Sequence, residues 1–217
     1  MTFDQPTTRA LLATIAETLI AHRDELTELD RAIGDADHGV NLERGFKAVL
    51  AGIDRISALP IGLALKDVGR TLIMAVGGAS GPLYGKLFAT IGLRLESEPA
   101  LTKAAVVAAC DDAIKVVKAL GRSDVGQKTM LDVLEPALDA LRTVDDREAL
   151  RAVRERADAA AMETAGMLAL RGRASFLGER SRGHVDPGAR SSALIVGAVC
   201  TFLESRLPAA GVSAHAA

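Results

Sequence analysis

The stretch DRAIGDADHGVNLERGF, from Asp30 to Phe46, sets three aspartates, Asp30, Asp35 and Asp37, into one turn between two segments of helical pattern. Three unneutralised carboxylates in one place repel each other. A hard divalent cation removes the repulsion, and magnesium typically combines a few carboxylates with waters and phosphate oxygens. An EF-hand calcium loop is excluded by spacing: one starting at Asp35 needs glycine at its sixth position and glutamate at its twelfth, where the chain has Val40 and Phe46. Loop aspartates also cap helices or form Asx turns. Taken alone, the cluster leaves a metal site and a helix cap equally open.

Three further stretches gather unusual residues. VGGASGPLYGK, from Val76, combines Gly77, Gly78 and Gly81 with Pro82, which suits the first position of a helix capped by Ser80 or Gly81. Exposed N–H groups at such a start form a phosphate cradle, and close helix packing explains the same small residues. GRSDVGQKT, from Gly121, is not a Walker A loop, because Gln127 separates the second glycine from Lys128 and a helical segment precedes it where a strand is required. No GxGxxG fingerprint occurs. RGRASFLGERSRGHVDPGARSS holds Arg171, Arg173, Arg180, Arg182 and Arg190, whose forked guanidinium groups suit phosphate oxygens. His184 in this loop reads equally as a phosphoryl carrier or a loop-ordering residue.

The elements that must position these stretches carry helical periodicity. Leu12, Ile15, Leu19, His22, Leu26, Leu29 and Ile33 fall on one stripe of a first helix, with His22 as a packed or capped histidine without a function. Seven more segments cover roughly 41–56, 60–76, 82–95, 101–120, 128–141, 146–170 and 189–207. No strand pattern competes, so the expected fold is all-α, an antiparallel eight-helix bundle or barrel forming a single domain over 1–217, with a frayed tail from 208. In an up-and-down bundle alternate connections share an end. The connections after the first, third, fifth and seventh helices are the four unusual stretches, whereas ESEP and TVDD are ordinary polar turns. This alternation predicts one site at one end.

Composition removes whole classes of function. The chain has 217 residues, 49% of them hydrophobic, enough for a substantial core. Its net charge of -2 and its low aromatic content, with no Trp and one Tyr, give no footprint for nucleic acid. The longest apolar run, Ala193 to Leu203, is too short to span a bilayer and no signal-peptide pattern opens the chain, so the expected location is cytoplasmic, with no membrane partner. Cys110 and Cys200 match neither a disulfide framework nor a zinc spacing and read as buried core residues.

GDADHGVNLERGF, GGASGPLYG, GQKTMLDVLEPAL and GRASFLGERSRGHVDPGARSS, in this order and spacing, closely resemble the L subunit of dihydroxyacetone kinase over nearly the whole chain. The resemblance implies an eight-helix barrel with ADP or ATP and two magnesium ions at one end. It makes Asp30, Asp35 and Asp37 the magnesium ligands, puts His38, Asn41, Ala79 and Ser80 at the nucleotide, and sets Gly121 and Met130 beside the adenine. By the same resemblance Arg173 reaches the phosphates, while Asp186, Pro187 and Gly188 line the pocket. One departure is visible: Gln127 stands where the family often has aspartate in a GDKTM sequence.

The implied reaction is phosphoryl transfer to the hydroxyl of a small ketose held on a separate K subunit. Two donors fit the resemblance: a phosphohistidine on a third subunit that rephosphorylates bound ADP, in a phosphoenolpyruvate-dependent system, or exchangeable ATP. Kinases of related trioses or tetroses use similar units. A nucleotide-binding regulator docking a transcription factor is a rival of another class, and a purely structural bundle needs neither the aspartates nor the arginine loop.

Overall fold

The computed structural model describes residues 3–98, 100–144 and 148–207. The expected frayed tail from 208, the Pro99 end of ESEP, and the Asp145 and Asp146 part of TVDD with the start of the seventh segment lie outside the described residues. Ten α-helices and no strand occur among the described residues: α1 (Gln5–Ala21), α2 (Arg23–Ile33), α3 (His38–Ala51), α4 (Ile53–Ser57), α5 (Ile61–Ala75), α6 (Ser80–Glu96), α7 (Lys103–Gly121), α8 (Leu131–Thr143), α9 (Ala149–Glu163) and α10 (Pro187–Arg206).

The expected eight segments become ten helices because two of them break. The first splits at His22, whose backbone leaves helical geometry while its Nδ1 meets the Thr18 carbonyl at 2.7 Å. His22 is half-exposed at this junction and not part of the buried stripe. The second splits at Gly52 into α3 and the short α4. α8 starts at Leu131 and not at Lys128, because Lys128 adopts φ +62°. The seventh segment stops being α-helical at Glu163; a 3-10 turn (Thr164–Gly166) follows, and residues 167–170 leave the helix to run beside Gln127.

Packing follows the chain around a ring. α1 packs on α3, α3 on α5, α5 on α6, and so on through α10, which returns to α1 and closes the barrel. Leu19, Leu26, Leu42, Phe46, Val68, Leu72, Tyr84 and Val117 belong to the main buried core, and Phe46 meets Phe88 edge-on at 6.4 Å between ring centres. Burying such side chains contributes about 1.5–3 kcal/mol each before entropy is counted. α5 and α6 approach most closely through glycine: a Cβ on Gly69 would lie 2.4 Å from the Gly85 carbonyl oxygen, so neither position admits a side chain without separating the helices. Cys200 is buried as expected, whereas Cys110 is only partly covered. No helix among the described residues is long and apolar enough to cross a membrane.

Candidate functional site

The four unusual connections meet at one end of the barrel. The aspartate turn is built from α2 outward. Asp30, in the last turn of α2, is buried, and its Oδ2 accepts hydrogen bonds from the backbone N–H groups of Asp37 (2.8 Å) and His38 (3.2 Å). Its carboxylate thus satisfies the first N–H groups of α3, which would otherwise be orphaned. Gly34 is required by this arrangement, since a Cβ there would sit 2.0 Å from Asp30 Oδ1. Ala36, at φ +61°, turns the chain back so that Asp35 and Asp37 face Asp30.

The helix-cap alternative can now be judged. Asp37 occupies the N-cap position of α3, yet its side chain makes no capping bond; Asp30 does that work from the preceding helix. One carboxylate oxygen from each of Asp30, Asp35 and Asp37 lies within 4.8 Å of the others, with Asp35 and Asp37 open to solvent. Hard oxygen donors at this separation suit a divalent cation such as magnesium. Arg173, the first residue of a 3-10 segment (Arg173–Ser181), reaches over the turn and pairs with Asp35 at 2.9 Å.

Beside the aspartates lies a buried polar network. The two ring nitrogens of His38 are hydrogen-bonded, Nδ1 with Ser80 Oγ at 3.1 Å and Nε2 with Ser191 Oγ at 2.9 Å. Burial lowers the His38 pKa against the opposing pull of Asp30 and Asp37, so the ring is neutral near pH 7. Ser191 in turn meets Tyr84 Oη at 2.6 Å, and Tyr84 Oη also meets Ser192 Oγ at 2.9 Å and donates to the Gly188 carbonyl at 3.0 Å. Burial pushes the tyrosine up to about 12, which keeps it a neutral hydroxyl. The network fastens the starts of α3, α6 and α10 to one another.

The glycine turn differs in detail from its sequence reading. α6 begins at Ser80, two residues earlier than Pro82, and neither Ala79 at the N-cap nor Ser80 caps it; the Ser80 hydroxyl serves His38 instead. The first N–H groups of α6 are therefore left without a side-chain cap, beside Gly78 at φ +65° with open space where a Cβ would stand. Asn41 is buried under this turn, its Oδ1 accepting from Arg44 Nη2 at 2.8 Å, and Arg44 Nε donates to the Ala75 carbonyl at 2.7 Å. Arg44 thereby holds the end of α5, a role that spacing does not announce.

Gly121 closes α7 near Leu83 of α6. Met130 is buried, and its backbone backs onto Gly188, which follows Pro187 in the first turn of α10. Asp186 caps that helix, accepting from the Ala189 N–H at 2.7 Å; burial raises its carboxyl to about 7. Asp132, missed in the sequence reading, accepts from the N–H groups of Gly126 (2.5 Å) and Thr129 (2.7 Å) and so shapes the turn before α8. The Thr129-x-x-Asp132 spacing resembles a capping box and was the available signal.

The arginines do not all converge. Arg171 Nε donates to Gln127 Oε1 at 3.1 Å, Arg182 Nη1 donates to the Gly166 carbonyl at 2.5 Å, and Arg190 pairs with Glu25 and Asp158. Arg173 is the member of the set that meets the aspartates. The ring of His184 is exposed and makes no hydrogen bond among the described residues; its carbonyl accepts from Lys128.

A ring of helices with acidic, glycine and arginine turns at one end defines a class, and the DAK2 domain family model matches residues 32–201. The chain belongs to that family. It is 43% identical to the ADP-binding subunit DhaL of the PEP-dependent dihydroxyacetone kinase of Escherichia coli, over 76% of this chain and 81% of that one. The corresponding subunit of kinase 1 from Listeria innocua is 36% identical, over 90% and 95%. Among solved structures, the dihydroxyacetone kinase of C. freundii in complex with AMP-PNP and Mg2+ superposes with a TM-score of 0.72 at 27% identity. That match covers 89% of this chain, which spans only 33% of the C. freundii kinase.

Proposed function

We propose that this chain is the nucleotide-binding subunit of a dihydroxyacetone kinase, acting as one DAK2-type unit in the cytoplasm. It transfers a phosphoryl group to the hydroxyl of dihydroxyacetone, or a related small ketose, held on a separate K subunit. ADP stays bound as a coenzyme, and a phosphohistidine donor subunit charged from phosphoenolpyruvate restores its terminal phosphate. The observation that carries the reading is the convergence of Asp30, Asp35 and Asp37 with Arg173 beside an uncapped helix start. The coverage adds to it: the chain spans 81% and 95% of two DhaL subunits named ADP-binding, but 34% of the L-erythrulose 1-kinase of Mycolicibacterium smegmatis.

Asp30, Asp35 and Asp37 would hold the magnesium, two ions on the family resemblance, and the bound cation supplies charge neutralisation to the phosphate oxygens. The uncapped N–H groups of Ser80 and Gly81 would orient a terminal phosphate through the positive end of α6. Arg173, paired with Asp35, would offset charge on the transferring group, and on the family resemblance Gly121 and Met130 with Asp186, Pro187 and Gly188 would contact the nucleoside. Transfer would form a bond from the ketose hydroxyl oxygen to phosphorus, break the bond from phosphorus to the ADP oxygen and release the hydroxyl proton, so positioning and electrostatics would do most of the catalysis.

The test is the nucleotide content of protein purified without added nucleotide, followed by exchange with labelled ATP in magnesium. Retained ADP that resists exchange, and phosphoryl transfer on adding a K subunit and a phosphohistidine donor, is the expected result. An empty or rapidly exchanging site that works with ATP alone would replace the coenzyme reading with an ATP-dependent kinase subunit. Nucleotide binding without transfer, together with capture of a transcription regulator, would replace it with a regulatory role.

A further inference from the structure

Lys128 has no part in the chemistry above, yet the structure invests heavily in it. Its side chain is only 1% exposed, and its backbone takes φ +62°, a conformation that residues with a side chain adopt rarely. Nζ donates to the carbonyls of Thr164 (2.8 Å) and His184 (2.5 Å) and lies 3.4 Å from that of Met167. An ammonium has three protons to donate, so this one is saturated inside the protein and has none left for a phosphate. The superficial Walker-like lysine is therefore a structural donor.

Its three acceptors stand at the two ends of one excursion of the chain, residues 164–184, which carries Arg173. The neck of that loop is drawn together by the Gly183 N–H donating to the Ala165 carbonyl (2.8 Å) and the Asp186 N–H donating to Thr164 Oγ1 (3.0 Å). The residue before Lys128 grips the same loop: the Leu170 N–H donates to the Gln127 carbonyl (3.2 Å), and Arg171 Nε to Gln127 Oε1 (3.1 Å). Lys128 is the point where the turn before α8 enters the neck.

We propose that Lys128 is a positioning residue: its ammonium ties the two ends of the 164–184 loop together and so sets the reach of Arg173 to the aspartate cluster, without touching substrate. The proposal rests on the kinase reading only for its activity readout. Removing the ammonium leaves the Met167 and His184 carbonyls without a donor in a buried neck, which must open to hydrate them, while the Thr164 carbonyl keeps the Met167 N–H at 3.1 Å. The main buried core is formed by other residues.

The experiment compares the full-length protein with K128M, K128Q, R173A and the double variant K128M/R173A. Helical circular dichroism of K128M is expected to match the parent, while the Leu170 and Gly183 amides exchange with deuterium about ten-fold faster or more. Phosphoryl transfer to K-subunit-bound ketose should fall about ten-fold in kcat in K128M, with partial recovery in K128Q, which keeps an N–H donor. Because the lysine acts through Arg173, adding K128M to R173A should change kcat by less than about two-fold. Additive losses, parental loop exchange in K128M, or global loss of helix would each overturn the proposal. If the parent itself neither binds Mg-ADP nor transfers phosphate, the kinase reading fails, and the exchange rates still decide whether Lys128 holds the loop.

Discussion

The two ends of the barrel are built by different rules. At the end away from the site, Ala58–Pro60 and the turn into α7 join helices with ordinary backbone, and the ties are surface contacts such as Lys66 with Glu96 and Arg9 with Asp54. At the site end every described positive-φ residue is found: Ala36, Gly78, Arg122, Gly126, Lys128, Gly172, Gly178 and Gly183. The buried polar groups divide the same way, with Thr7, Thr8 and Ser57 at the far end and Asp30, His38, Asn41, Lys128, Asp132, Thr164, Ser181, Asp186, Ser191 and Ser192 at the site end. Strained backbone and desolvated polar groups cost stability, so their segregation marks the site end as the one that bears a cost beyond joining helices.

The largest expected effect comes from the aspartate turn. In Gly34→Ala the new Cβ would collide with Asp30 Oδ1 at 2.0 Å, so the carboxylate must swing away and surrender its bonds to the Asp37 and His38 N–H groups. Mg-ADP affinity, read by calorimetry, should fall about 10–100-fold. Stability should drop by about 1–3 kcal/mol in thermal melts as the start of α3 loses its acceptor. Parental affinity would show that the turn is looser than its geometry states, and the contrast between the ends would weaken.

Arg173→Ala should separate catalysis from stability. The Arg173–Asp35 pair is solvent-exposed, with the arginine side chain 69% accessible, and exposed pairs contribute at most about 1 kcal/mol. On the proposed function, transfer should nevertheless slow about 100-fold, since the guanidinium faces the aspartate turn. Single-turnover rates beside melting curves would check this; a variant that melts well below the parent but transfers normally would make Arg173 a structural residue.

Much of this contrast was legible in the primary structure, because it is a contrast of composition. Turns rich in Gly, Asp and Arg alternate with plain polar ones, and in an up-and-down bundle alternation means sidedness. The helical stripes were equally plain, but hydrophobic period runs straight through the kinks at His22 and Gly52, since the same face stays buried on both sides of each break. Asp30, Asp35 and Asp37 could be singled out by type and spacing, whereas Arg173 was set apart from the other loop arginines only by the family resemblance. The supports beneath them could not: His38 meets Ser191 across 153 positions of sequence, and Tyr84, Ser192 and Lys128 acquire their roles only from partners brought by the fold. Buried polar networks are written in tertiary contacts, and local periodicity carries no record of them.

A smaller effect should appear as pH dependence. Burial raises the folded Asp186 carboxyl to about 7 from an ordinary 3.8, with the Ala189 N–H and Lys128 pulling the other way. Between these values the folded chain keeps a proton that the unfolded chain has released, so this group's stabilisation is complete below about pH 4 and is lost as pH rises through about 7. Asp186→Asn keeps a capping oxygen and cannot ionise. Urea unfolding at pH 5 and pH 8 should show a smaller stability difference in the variant than in the parent, by an amount on the order of 1 kcal/mol. An unchanged difference would mean that Asp186 is ionised throughout, held by Lys128.

The smallest effect should be a gain. Arg122 ends α7 at φ +48° and ψ +42°, a left-handed position where glycine is free of the Cβ penalty, and the Ser123 N–H still reaches the Lys118 carbonyl at 3.1 Å. The Arg122 side chain is exposed and takes part in none of the contacts that assemble the site. Arg122→Gly should therefore stabilise the protein by about 0.5–1 kcal/mol, a rise of about 1–4 °C in Tm, with Mg-ADP affinity unchanged. Lys128, in the same backbone region, should not behave this way, because its ammonium is bonded inside the loop neck. If Arg122→Gly instead lowered the Tm, strain at this end would have to be a property of the whole set of turns, each residue fitted to its neighbours. If it raised the Tm and left binding intact, the strain at Arg122 is local and incidental, and the functional cost of this end lies in its buried polar groups.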